Sequence, residues 1–190
     1  MPDPLNPRYS YGSGKIISEL MAINYGRKFF ERVIIFRPHN VFGPDMGWEH
    51  VIPQFVLRMK KLCTETKSKK IKFPIQGTGK ESRAFVFIDD FIDGLMLVME
   101  KGEHLGIYHI GTMEELPIKE VAIQLGNYYG RDVEIVQGQE AKGSTPRRCP
   151  DISKIRKFGY KPKVSFEQGL KMTAKWYDEN SHKMQKISSK

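Results

Sequence analysis

Only two cysteines, Cys63 and Cys149, occur in the 190 residues, and they stand far apart. That number and spacing fit reduced thiols in a cytosolic protein better than a disulfide framework or a zinc site. No stretch approaches the roughly 18 consecutive apolar residues of a membrane span, so no membrane is an expected partner. No charged-then-apolar leader opens the chain, so no secretory signal is expected. Repeats and low-complexity tracts are absent too. Acidic residues are in deficit, with 22 Asp and Glu against 31 Lys and Arg and a net charge of +9. The excess gathers from Arg58 to Lys72 and again in the tail from Lys154 to Lys190. A solvated lysine-rich surface accounts for it, with a basic pocket for an anionic small molecule as the alternative. Nucleic acid is not an expected partner, because such a surface interleaves aromatics with its basic residues and Lys67 to Lys72 has none. The absence with the most consequence is a glycine-rich dinucleotide fingerprint, which occurs nowhere in the chain.

What is present is enough for a packed interior. Hydrophobic residues make up 39% and aromatic residues 11%, and the length suits one domain or one domain and part of another. Apolar spacing predicts a helix over residues 9–29, loosened at its start by Gly12 and Gly14, which would let a ligand or another backbone come close. Val33 to Phe36 is a continuous apolar run, the pattern of a strand covered on both faces in a parallel sheet. A Pro- and Gly-rich loop over 38–48 precedes a helix over 50–62 and a charged loop over 63–70. Strands are predicted over 71–76 and 83–88, with Gly77 to Lys80 as a hairpin turn between them. Asp89 is the expected N-cap of a helix over 90–100. A strand over 106–110 follows, then a helix opened by Pro117 and running to about 129. A strand over 133–136, a loop over 137–150 that includes Gly143, and helices near 151–158 and 165–180 complete the chain, with a frayed tail after 180. Strands alternating with helices place the chain in the α/β class.

The candidate chemistry begins with Tyr11-Gly12-Ser13-Gly14-Lys15. The i, i+4 spacing puts a phenol and an ammonium on one helix face, roughly 5–6 Å apart at Cβ. A neighbouring ammonium favours a phenolate, so such a pair can pass a proton to or from a hydroxyl. A surface Tyr-Lys pair has the same spacing. Arg37-Pro38-His39-Asn40-Val41-Phe42-Gly43-Pro44 then carries the apolar strand into a turn-rich loop. His104 and His109 have no ligand-like partners in the sequence and read as structural or surface groups.

Taken in order, Y-G-S-G-K, R-P-H-N-V-F-G-P, I-P-Q-F, G-T-G-K-E-S-R-A-F-V-F-I-D-D and R-R-C-P-D-I-S-K-I-R-K-F-G-Y-K-P resemble the extended short-chain dehydrogenase/reductase family. Within it the chain is most similar to the NAD-dependent nucleotide-sugar epimerases and dehydratases, from about Pro7 to Trp176. The resemblance implies the C-terminal part of a Rossmann-like parallel sheet plus a small α/β substrate-binding domain. Residues 1–48 would be the last part of the NAD-binding domain, 49–88 a substrate-binding region, and 89–115 a return to the Rossmann sheet. Residues 116–180 would be substrate-binding domain and 181–190 a polar tail.

The resemblance also implies residue roles. Tyr11 matches the catalytic acid/base and Lys15 the lysine that binds the nicotinamide ribose. Pro38 and His39 fall beside the nicotinamide. Asn40, His50, Val51, Pro74, Gln76, Arg83 and Arg148 fall where the family contacts the nucleotide sugar. Alternatives stand beside these: Asn40 can stabilise its turn, Arg83 can pair with Asp89 or Asp90, Arg147 can take the place of Arg148, and Asp151 is expected to cap the next helix. The implied cofactor is NAD, with NADP less favoured, and no metal. The implied partners are a nucleotide-diphosphate sugar and a second copy of the chain or a full-length homologue. Without the fingerprint, the expectation is a truncated enzyme, with epimerase favoured over dehydratase and decarboxylase. A non-catalytic remnant or partner subunit is the alternative.

Overall fold

The computed structural model describes residues 10–139 and 145–187. Residue 9 of the predicted first helix, residues 140–144 of the predicted loop with Gly143, and residues 188–190 of the tail lie outside the described residues. The chain runs α1 (Ser10–Phe29), β1 (Ile34–Pro38), β2 (Val41–Phe42), α2 (Val51–Glu65), β3 (Lys70–Ile75), β4 (Ser82–Ala84), β5 (Val86–Phe87) and α3 (Ile88–Lys101). It continues through β6 (Gly106–Ile110), β7 (Glu115–Pro117), α4 (Ile118–Tyr128), β8 (Asp132–Gln137), β9 (Arg147–Arg148), α5 (Ser153–Arg156), α6 (Phe166–Asn180) and α7 (His182–Ile187).

The strands form small sheets that are mostly parallel. β1 pairs with β6, with Arg37 opposite His109 and Pro38 opposite Ile110. β2 pairs with β5, and β3 with β8 along its whole length. β4 lies between antiparallel β7 and parallel β9, which sets Arg83 level with Arg148. β3 alternates cleanly: Ile71, Phe73 and Ile75 point inward while Lys70, Lys72 and Pro74 point outward, the period-2 pattern of a strand with one covered face.

Apolar burial gathers in two clusters. The larger joins α2, β3, α4 and α6 around Ile52, Met59, Phe73, Leu125 and Tyr177. Gly169 lets α6 approach closely, since a Cβ there would lie 2.7 Å from the rings of Phe42 and Phe87. The smaller cluster joins β6, α3 and α5 around Val98, Tyr108, Ile110, Ile155 and Tyr160.

Several expectations change. Residues 77–80 are not a hairpin turn, because β3 and β4 belong to different sheets. Gly77 and Gly79 are left-handed (φ 71° and 70°). Backbone bonds from Gly77 to Gln139 and from Lys119 to Gly79 pin the turn from outside. Asp89 does not cap α3: the helix begins one residue before it, at Ile88, and both Asp89 and Asp90 lie in its first turn. Pro117 is the residue before α4 and also ends β7, with φ −62° and extended ψ, a strand the sequence pattern did not signal. The tail after Asn180 holds α7 where fraying was expected. Val33 to Phe36 is not buried on both faces. Only Ile35 is buried and Phe36 is 43% exposed, because among the described residues β6 is the single neighbour of β1.

Candidate functional site

The β1–β2 junction organises the site. Asn40 takes a left-handed backbone (φ 41°), which asparagine tolerates better than most side chains. Its Nδ2 donates to the Ala84 carbonyl (3.0 Å), and its own carbonyl accepts from the Val86 N–H (3.3 Å). The Asn40 side chain thus bonds a segment 44 residues on and not its own turn. It ties β2 to the β4–β5 segment.

Across from this junction, α2 presents Val51, Gln54, Phe55 and Arg58 to a cleft of about 440 Å³. Their i, i+3, i+4, i+7 spacing is one helix face. The opposite wall carries Gln76, Arg83 and Arg148. A second hollow of about 410 Å³ adjoins it, lined by Pro38 and His39 and sharing Asn40 and Arg148 with the first. Of the residues singled out in the sequence, Pro38, His39, Asn40, Val51, Gln76, Arg83 and Arg148 thus gather around one continuous depression. The others stand apart. His50 precedes α2 and its N–H donates to the Gly47 carbonyl (3.2 Å). Pro74 points outward from β3. Tyr11 and Lys15 are exposed on the first turns of α1, with Lys15 Nζ 5.3 Å from the Tyr11 ring centroid. Among the described residues nothing lies within 4 Å of a Cβ built on Gly12 or Gly14.

The cleft carries Arg58, Arg83 and Arg148 together with the carboxylates of Glu49 and Glu81. Arg147 is occupied by Glu115, which accepts from its Nε and Nη2 at 2.6–3.0 Å. Arg148 and Arg83 form no ion pair among the described residues. Of the expected alternative partners of Arg83, Asp90 binds the backbone N–H groups of Lys163 and Val164 instead, and Asp89 forms no salt bridge with Arg83 among the described residues. Burial, then the Arg148 charge, pulls the Arg83 guanidinium below its ordinary value, while Glu81 pulls the other way. Arg58 escaped the sequence reading as one of a basic surface run. Its guanidinium lies 5.7 Å and 5.4 Å from the Phe55 and Phe73 ring centroids and donates to the Pro74 carbonyl. The i+7 step from Val51 was the available signal.

A polar line connects α1 to the second hollow. Glu19 accepts from Arg37 Nε (2.8 Å) and Nη2 (2.6 Å). Arg37 Nη1 lies 3.5 Å from His109 Nε2, and His109 Nδ1 lies 2.6 Å from His39 Nε2. His109 is therefore not an isolated structural or surface group, as the sequence suggested, because β6 registers it opposite Arg37. His104 does serve structure, accepting from the Val33 N–H. Burial first, then His109 and Arg37, pushes the His39 imidazole down to about 4. Burial and Arg37 also lower His109, opposed by Asp151 and Glu19.

The lowered His39 value sets a pH dependence. Above an unfolded value of about 6.5 both states are neutral and the group adds no slope. As pH falls from about 6.5 to about 4, the unfolded chain binds protons that the folded chain refuses, so stability is lost across that window. For a half-buried ring the loss is about 1–3 kcal/mol. Urea denaturation at pH 7.5 and 4.5 checks this: the difference between the two should shrink in His39→Gln. An equal difference in both proteins contradicts it.

Comparisons with known proteins identify the family and the fold. The family model for NAD-dependent epimerases and dehydratases matches residues 1–111. The human dTDP-D-glucose 4,6-dehydratase is 31% identical over 193 residues, covering 97% of this chain and 52% of that protein. Arabidopsis thaliana UDP-glucuronic acid decarboxylase 2 is 31% identical over 176 residues, 91% of this chain and 38% of that one. The solved dTDP-glucose 4,6-dehydratase of Streptomyces venezuelae, which holds NAD, superposes with a TM-score of 0.76 at 35% identity, covering 90% of this chain and 52% of that one. The Thermotoga maritima UDP-glucose 4-epimerase with UDP-glucose gives 0.80 at 28% identity, covering 95% and 56%. The chain spans about half the length of the dehydratase relatives it matches. The parallel strand pieces are accordingly part of a Rossmann-like α/β architecture. Sequence motifs, fold and family model converge, and the chain belongs to the NAD-dependent epimerase/dehydratase family.

Proposed function

We infer that the depression between α2 and the β4–β9 pair binds a nucleotide-diphosphate sugar, and that the chain carries the substrate-binding part of an NAD-dependent nucleotide-sugar epimerase or dehydratase. The carrying observation is Arg83 and Arg148, level on adjacent strands and lining one cleft, neither of them in a salt bridge among the described residues although Glu81 and Glu49 line the same cleft. A guanidinium grips phosphate oxygens in a two-pronged fork, and two such groups match a diphosphate. Arg58 adds a third cation at the end of the cleft near Gln76. His50 and Pro74 remain part of the proposal as neighbours of the nucleotide, although neither lines the cleft.

Two features support a nicotinamide end of NAD here: Lys15 stands beside Tyr11, and the Glu19–Arg37 pair ties their helix to the strand that leads into Pro38 and His39. Tyr11 and Lys15 would hold the ribose, and Pro38 and His39 the nicotinamide ring. When bound, NAD would supply reversible hydride transfer at the sugar. Tyr11 would move the proton of the reacting sugar hydroxyl, with Lys15 beside it. The choice of NAD over NADP rests on relatives such as the Streptomyces enzyme, solved with NAD. A cytoplasmic location belongs to the same reading: both cysteines are free thiols, and no described helix is long and apolar enough to cross a membrane.

Calorimetric titration of the 190-residue chain tests this. UDP-glucose or dTDP-glucose should bind in the micromolar range, and NAD more weakly or only with a second chain present. A folded chain that binds neither sugar nucleotide contradicts the reading.

One observation favours a role in association. Ile17, Met21, Tyr25 and Phe29 follow one another at i+4 along α1, and each is more than half exposed. An apolar stripe of this kind belongs against another surface, whether a second copy or a full-length homologue. Light scattering on the purified chain should show a dimer or larger species. Met21→Glu with Tyr25→Glu should shift it to monomer. A wild-type monomer at tens of micromolar contradicts the proposal.

A further inference from the structure

The Arg37–His109–His39 line fixes where the protons sit. A guanidinium has donors only. Arg37 spends Nε and Nη2 on Glu19 and turns Nη1 toward His109 Nε2. At 3.5 Å this contact is a hydrogen bond only with His109 Nε2 as acceptor, an arrangement that leaves the one proton of a neutral imidazole on Nδ1. That Nδ1 lies 2.6 Å from His39 Nε2, so His39 accepts there and keeps its own proton on Nδ1. Protonating His39 on Nε2 would set two N–H groups against each other at that distance. Arg37 opposes a charge on His109, while the Glu19 and Asp151 carboxylates favour one.

The backbone holds the arrangement. The His39 N–H donates to the Ile110 carbonyl (3.1 Å), and β-pairing sets Arg37 opposite His109. Gly111 leaves space for the ring's stem, since a Cβ there would lie 3.1 Å from His39 Cβ. His39 lines the hollow that Arg148 also lines.

We propose that Arg37 and His109 are positioning residues that lock His39 in its Nδ1–H tautomer, making His39 a neutral hydrogen-bond donor to an acceptor oxygen of the bound nucleotide, beside the cationic Arg148. The ligand half of this statement rests on the nucleotide-binding reading above; the tautomers do not. Sequence could suggest His39 but not its state, which depends on a partner 70 residues away.

Long-range ¹H–¹⁵N correlation spectra of the ¹⁵N-labelled chain at pH 7 read each ring directly, with His39→Gln and His109→Gln assigning the signals. The expected spectrum shows a protonated Nδ1 and a pyridine-type Nε2 for both His39 and His109. Arg37→Met should release the pair, with His39 moving toward the Nε2–H form, while Glu19→Gln should leave the tautomers unchanged. An Nε2–H His39, a charged ring, or comparable amounts of two tautomers in the wild type overturns the proposal. UDP-glucose and NAD, added separately, identify the acceptor: whichever shifts the His39 Nδ1–H signal supplies it. Binding that leaves this signal unmoved overturns the donor role. Absence of binding with the expected tautomers overturns the nucleotide reading and the donor role with it, and leaves the positioning intact.

Discussion

Arg148→Ala is expected to weaken UDP-glucose or dTDP-glucose binding by about 10- to 100-fold, the equivalent of about 1.5–3 kcal/mol for a lost hydrogen bond to a charged group. Arg83→Ala should fall in the same range. Arg147→Ala should change affinity little, because Arg147 is already committed to Glu115 (2.6 Å). The contrast between neighbouring arginines makes the experiment informative: general loss of positive charge would weaken binding equally at both positions. Arg148→Lys should recover only part of the loss, since an ammonium cannot form the planar fork. Titration calorimetry of the four variants, with thermal melts to confirm folding, reads the difference. Equal effects at Arg147 and Arg148 would falsify the assignment.

Asp90→Ala should lower stability by about 3 kcal/mol and the melting temperature by about 6–12 °C. Asp90 is 2% exposed. Its carboxylate accepts from the backbone N–H groups of Lys163 (2.8 Å) and Val164 (2.9 Å). Those residues lead directly into Ser165, the N-cap of α6, which forms a capping box with Gln168. One side chain on α3 therefore ties the smaller core to the helix that helps build the larger one. Alanine leaves both backbone N–H groups without their carboxylate partner. Asp89→Ala, one residue earlier and exposed, should lose less than about 1 kcal/mol, the share of an acidic first-turn residue facing the helix dipole. Denaturant unfolding of both variants decides it; losses of similar size would contradict the account.

This pair also shows where the sequence was legible. Helices with apolar spacing and strands with alternating or continuous apolar runs could be read, because those patterns are local. Asp89 looked like the cap of a helix over 90–100, yet the buried carboxylate is Asp90, and its partners lie more than 70 residues away. The hairpin expected around Gly77 failed for the same reason: β3 found β8 and β4 found β7 and β9, and turn residues alone do not state which strands meet. At the site, motif order brought Asn40, Arg83 and Arg148 to notice, and folding placed them on one cleft. Arg58 was hidden in a basic run, and His109 in a strand, because each acquires its meaning from a neighbour distant in sequence. The roles of Tyr11 and Lys15 come from the motif, since both side chains are exposed in this chain.

The most direct test of the central claim is a crystal structure of the chain with UDP or dTDP bound. The diphosphate oxygens should lie within hydrogen-bonding distance of the Arg83 and Arg148 guanidiniums, between α2 and the β4–β9 pair. A diphosphate held elsewhere, by the lysine-rich run near Lys67 to Lys72 or by the basic tail, would contradict the account.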